Sequence, residues 1–91
     1  IAFGCPSMGS EQLEDSEFEP MFNACEAKLS GKKVGLFGSY GWGDGEWMRN
    51  WEGRMRGDGC LLFETGLIIN LTPDDEGIKQ CEEFGARFAK F

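Results

Sequence analysis

Val34–Met48, VGLFGSYGWGDGEWM, is the stretch whose reading decides the fold. Val34–Gly38 has no polar alternation, which predicts a strand covered on both faces of a parallel sheet. The chain then breaks into a loop punctuated by Gly41, Gly43 and Gly45 and enters a helix with Trp47 and Met48 in its first turns. Asp44 is placed to cap that helix, and Glu46 falls in its first turn, where the dipole favours negative charge. Open α/β sheets bind ligands outside the carboxyl ends of their strands, where this loop falls. Trp42, between two glycines, is free to project, which suits a flat, stackable ligand; the same spacing also fits an indole lying over a helix end as a satellite of the core. Phosphate is disfavoured, because Asp44 and Glu46 occupy the helix terminus and the lysine of a P-loop is absent.

Outward from the loop, the pattern is strand–helix three times over. Ile1–Gly4 reads as the end of a buried strand that begins inside an element, followed by a loop over Cys5–Asp15. Pro20 suits the first turn of a helix ending near Leu29, with Met21, Phe22, Cys25 and Leu29 as one core-facing stripe. A second helix runs from Gly45 to Arg56 on an apolar face of Trp47, Met48, Trp51 and Met55, with Arg54 and Arg56 at its C-terminus. Cys60–Leu71 is long for one strand, and Gly66 marks a bulge or break. Thr72-Pro73-Asp74-Asp75 then reads as a helix start with Thr72 as cap, proline in the first turn and an acidic residue at the third position, and Ile78, Cys81, Gly85 and Phe88 as the buried face. Three strands alternating with helices imply an α/β fold with a parallel sheet. Right-handed crossovers put the first two helices on one face and leave the last for the other. Met8 and Trp42 then fall on the same edge.

The chain has 91 residues, a net charge of −7 and no histidine. It is long enough for one domain with a small core. The negative charge opposes binding to nucleic acid or anionic membranes and favours partners with basic surfaces. No run approaches a membrane span, and no signal peptide is visible. Cys5, Cys25, Cys60 and Cys81 are too widely spaced for a metal motif, and no metal site is expected. Cys25, Cys60 and Cys81 read as small buried hydrophobes, and Cys5 as a loop thiol; reduced thiols suit the cytoplasm.

Gly4-Cys5-Pro6-Ser7-Met8-Gly9-Ser10-Glu11, Leu13–Pro20 and Gly31–Gly45 together resemble a flavodoxin of the short-chain type. The resemblance runs through the whole chain, is strongest over Gly31–Gly45, and matches only the later part of the family. It implies a three-layer, flavodoxin-like sheet truncated to the last three strands and their helices, with residues 1–91 as a single partial domain. It also implies a flavin mononucleotide (FMN) site for one-electron transfer, in a carrier rather than an enzyme. Trp42 resembles the outer plate on the isoalloxazine ring and Met8 the inner contact. Gly9 resembles the glycine whose carbonyl turns toward flavin N5, and Glu11 the acceptor for flavin N3–H. Ser39, Tyr40 and Gly41 resemble the backbone shelf below the ring, with Pro6, Ser7, Ser10 and Gly43 completing the two loops and Asn70 near the rim. The family's phosphate-binding turn would lie upstream of Ile1, so FMN binding by this chain is expected to be weak or absent. A carboxylate about 10 Å from the ring disfavours a second negative charge on it by about 1–2 kcal/mol.

Two alternatives belong to other classes. One is a cofactor-free α/β module that associates through its exposed sheet edge, and the other is the flavin domain of a larger reductase. A bare first strand also predicts a homo-oligomer built by pairing at that strand.

Overall fold

The computed structural model describes all of residues 1–91. Its elements are β1 (Ala2–Gly4), α1 (Phe18–Glu26), β2 (Lys33–Tyr40), α2 (Glu46–Gly57), β3 (Leu61–Leu62), β4 (Leu67–Asn70) and α3 (Asp75–Ala89). All strand pairs are parallel. β2 is central, with β1 on one side (Gly4 opposite Phe37) and β3 and β4 on the other. The run Cys60–Leu71 is thus one interrupted strand. Lys33 faces Leu61 but Phe37 faces Leu67, so the partner gains two residues across the break. Gly66 lies in that break, where an added Cβ would come within 2.3 Å of the Met48 sulfur.

α1 and α2 share one face of the sheet. Phe22, Val34, Leu36, Trp47, Met48, Trp51 and Met55 form its core with Cys5 and Leu29. The Phe22 ring meets Trp51 edge-on at 5.8 Å and Phe3 at 5.1 Å. α3 covers part of the other face, where Phe63 packs against Phe84, Phe88 and Phe91, and the Phe88 ring rests on Gly35. The predicted layering is therefore observed.

Several local expectations are corrected. Phe37 is 45% exposed, so β2 is covered on both faces only as far as Leu36. β1 is an exposed edge and not a buried strand, with Ile1 55% exposed. The α1 stripe narrows to Phe22 and Leu29; the helix ends at Glu26, Cys25 is half-buried and Met21 faces solvent. On α3, Gly77 and Phe84 are buried, Phe88 is partly so, and Ile78, Cys81 and Gly85 are exposed. That helix lies over the β4 side of the sheet and leaves the β1 side bare, so the periodic apolar positions turned toward β1 meet nothing. The cysteine order is inverted too: Cys5 is buried, Cys25 and Cys60 are intermediate, and Cys81 is exposed, all as free thiols. Burial pushes the Cys5 and Cys60 thiols up from their ordinary pKa.

The helix starts use side chains from outside the local motifs. Asp74, not Thr72, caps α3 by accepting from Gly77 N–H at 2.8 Å, which leaves Pro73 outside the helix. α1 has no acceptor at its own cap position, and Glu14 serves instead. Its carboxylate accepts from the amides of Ser16, Glu17 and Phe18 at 2.7–2.8 Å and from the Ser16 hydroxyl. The Ser16 hydroxyl and these amides lower the Glu14 pKa to about 2.

The orientation of α1 predicts a sharp contrast between neighbours. Phe22→Ala removes a fully buried ring and is expected to cost about 3–5 kcal/mol in urea unfolding. Met21→Ala is expected to stay within about 0.5 kcal/mol.

Candidate functional site

Because β1 and β2 run parallel, the loops that follow them leave from the same edge of the sheet. Met8 and Trp42 therefore lie on one edge, as the topology predicts. Trp42 is 66% exposed and Met8 47%, which rules out the satellite placement for Trp42. Two large apolar side chains are held in solvent on adjacent loops.

The first loop is anchored to β2 by Ser7 N–H donating to Ser39 O at 2.8 Å. It then closes on itself, because Met8 and Gln12 exchange N–H···O bonds of 2.8 and 2.9 Å. Gly9, Ser10 and Glu11 form the tip between them, with Gly9 at φ +54° and Glu11 at φ +52°. A non-glycine residue held in this left-handed region costs about 1–3 kcal/mol and persists only where its surroundings impose it. For Glu11 they do. Its Oε1 accepts from Gly45 N–H at 3.1 Å and Glu46 N–H at 3.0 Å.

That carboxylate is the cap of α2. Asp44 was expected in the role, but the position before the helix is Gly45 in the left-handed conformation with no side-chain acceptor. Asp44 pairs instead with Arg49, Oδ1 to Nη2 at 2.9 Å, and this partner raises the Arg49 pKa further. Glu11 thus joins the two loops. It lies against Gly43, where a Cβ would fall 2.5 Å from its carboxyl carbon, and Gly43 itself has φ +85°. Only glycine meets both demands.

Beneath the loops, Ser39, Tyr40 and Gly41 end β2 and lead into the second loop. Tyr40 O accepts from Leu71 N–H at 2.7 Å and from the Asn70 amide at 3.1 Å, so Asn70 stays with the strand end. The Tyr40 ring lies 5.8 Å from Trp47. Pro6 and Ser10 are exposed, one before the closed turn and one at its tip. All eleven residues singled out on the two loops are gathered at this edge. The residues missed from sequence are Cys5 and Trp47 as supports: Trp47 Nε1 donates to Cys5 O at 3.2 Å and ties α2 to the root of the first loop. Nothing in a one-dimensional pattern marks a backbone carbonyl as a side-chain acceptor.

The edge is acidic. Glu11, Asp44 and Glu46 face it, and Arg49 is neutralised by Asp44. Exposed apolar plates and a carboxylate acceptor fit a flat heteroaromatic ring with N–H donors. They do not fit a phosphate.

No family model matches the chain. It is 55% identical over 89 residues to a flavodoxin of Clostridium beijerinckii, covering 98% of this chain and 64% of the relative. It is 52% identical over 90 residues to a flavodoxin of Megasphaera elsdenii, covering 99% of this chain and 64% of the relative. The solution structure of two-electron reduced Megasphaera elsdenii flavodoxin superposes with a TM-score of 0.84 at 48% identity, covering 100% of this chain and 64% of that one. Oxidised flavodoxin 1 from Bacillus cereus gives a TM-score of 0.82 at 26% identity, covering 99% of this chain and 63% of that one. The chain therefore spans just under two thirds of the length of the relatives it matches.

The cap assignment is testable. Glu11→Ala is expected to destabilise the chain by about 1 kcal/mol and to speed hydrogen exchange at the Gly45 and Glu46 amides. Asp44→Ala is expected to leave both amides unchanged. Equal effects would return the cap to Asp44.

Proposed function

We propose, from the chain's homology to short-chain flavodoxins, that it carries the flavin-ring half of an FMN-dependent electron carrier. The single observation that supports this most is the pair of exposed side chains, Met8 and Trp42, on neighbouring loops joined by Glu11. Trp42 would cover the outer face of the ring and Met8 the inner. The second carboxylate oxygen of Glu11 would accept from ring N3–H while Oε1 stays on the α2 amides. Gly9 would present its carbonyl to ring N5; beyond its two chain neighbours no atom lies within 4 Å of the space a Cβ would take there. Ser39, Tyr40 and Gly41 would line the ring edge, with Pro6, Ser7, Ser10 and Gly43 holding the loops in shape. The flavin supplies the redox chemistry. The chain's own part is to bind the ring, exclude water from its faces and set the charge around it.

On this reading the chain is a carrier without a substrate of its own, within one domain over residues 1–91. Its redox partners are proteins with basic surfaces, matched to the net charge of −7. Nucleic acid and membrane surfaces are not among its partners, since both carry phosphate. The four free thiols suit the cytoplasm. No helix is long and apolar enough to cross a membrane.

The test is a tryptophan-fluorescence titration with FMN and riboflavin in parallel. Stacking contributes about 1–3 kcal/mol, against about 8 kcal/mol for micromolar affinity. Both flavins are therefore expected to bind weakly and alike, and Trp42→Ala to abolish saturable quenching. Sub-micromolar FMN binding, or quenching unchanged by Trp42→Ala, would overturn the half-site reading.

A second proposal, also expected of the cofactor-free alternative, concerns association. β1 pairs only with β2, and its other edge is open. Beside it runs an apolar groove of about 520 Å³, lined in part by Phe37, Leu67, Ile69, Leu71 and Cys81. A second copy, with the same open edge, is the proposed occupant, paired through β1. Sedimentation at micromolar concentration is expected to show a dimer that Ala2→Pro dissociates, because Ile1 and Cys5 bond inward to β2 and Ala2 turns its N–H to the open edge. A wild-type monomer with folded spectra would refute it.

A further inference from the structure

At the end of the molecule away from the ring edge, the last residue of α1 meets the residue that closes α2. α1 ends at Glu26, and the C-cap of α2 is Asp58. Arg54 reaches across from α2. Its Nε and Nη2 donate to the two oxygens of Glu26 at 2.7 Å each, and its Nη1 donates to Glu19 at 2.7 Å. The guanidinium also lies over the Phe22 ring at 4.8 Å, so its position is set by the core. These bonds all go to α1. Asp58 Oδ2 is sealed from solvent without a hydrogen-bond donor, and the Asp58 carboxyl lies within hydrogen-bonding reach of the Glu26 carboxylate. An ionised carboxylate oxygen is strongly disfavoured in such a place. Its neighbour is a second carboxylate, and a proton placed between the two relieves both.

We propose that Asp58 and Glu26 share one proton, Asp58 donating to Glu26, and that this bond is a proton-operated latch between the ends of α1 and α2. The proton comes from solvent, and Glu26 keeps its negative charge on Arg54. The groups facing the pair are Arg54 from α2, Glu19 from α1, and the Cys60 thiol just beyond Asp58.

The directions of titration agree. Hydrogen bonding to Glu26, then burial and the Glu26 charge, push the Asp58 carboxyl above the usual range, against the pull of Arg54. The Arg54 bond is the main cause holding Glu26 below its usual range. A raised pKa in the folded state gives stability that is full below the unfolded value and lost as pH rises through the folded value. For Glu26 the stability is present above the unfolded value and lost as pH falls through the lowered one. The latch is therefore tightest between the two and loosens as pH climbs through the raised Asp58 value.

Two measurements on the chain test this. The Asp58 side-chain carboxyl carbon, followed by NMR, is expected to titrate clearly above 3.8, the ordinary value. In urea unfolding across that range, the wild-type folding constant is expected to fall about tenfold for each unit by which Asp58 is raised. Asp58→Asn, whose amide donates to Glu26 at every pH, is expected to remove that fall. Titration of Asp58 at its ordinary value, or the same alkaline fall in the variant, would overturn the latch.

Discussion

The structure depends on one close approach. The carbonyl of Cys5 runs so near Gly38 that an added Cβ on Gly38 would lie 2.2 Å from its oxygen. The same oxygen accepts from Trp47. Because Gly38 has no side chain, the first loop leaves β1 flat against β2, and the indole pins α2 over that point. Cys5 N–H donates to Phe37 O at 3.1 Å and prolongs the sheet by a residue beyond β1. Any side chain at Gly38 would force the loop away from β2 and with it everything that Met8 and Glu11 do.

From that junction the site is assembled by backbone and carboxylate contacts. Glu11 stabilises its own strained conformation by satisfying two amides at the start of α2, which couples loop shape to helix position. Glu14 does the same for α1 with three amides and a hydroxyl. Carboxylates of the first loop thus organise the starts of both helices that pack on its side of the sheet. An acidic loop is consistent with that, because helix N-termini favour negative charge.

The opposite ends of those helices are organised by charge as well. Arg54 binds two carboxylates of α1 at once, with 28% of its side chain exposed. At that depth the pairing acts less as raw stability than as a constraint on how α1 and α2 sit together. Polar groups therefore hold both ends of a layer whose middle is aromatic.

Much of this was legible in the sequence. The unbroken apolar run Val34–Gly38, the glycine-spaced loop and the stripe Trp47, Met48, Trp51, Met55 specify a central parallel strand and its helix through local periodicity. The parallel order and handedness then put Met8 and Trp42 on one edge without any contact being known. What periodicity could not decide is which apolar positions find a partner. Met21, Phe37, Ile78 and Cys81 follow their patterns and remain exposed, because burial is set by what lies opposite across the sheet. The sequence likewise could not show that Glu11 caps α2, 34 residues away from Gly45. Hydrogen bonds of that span exist only once the parallel pairing of β1 and β2 has brought the two loops together, and that pairing is a property of the tertiary structure.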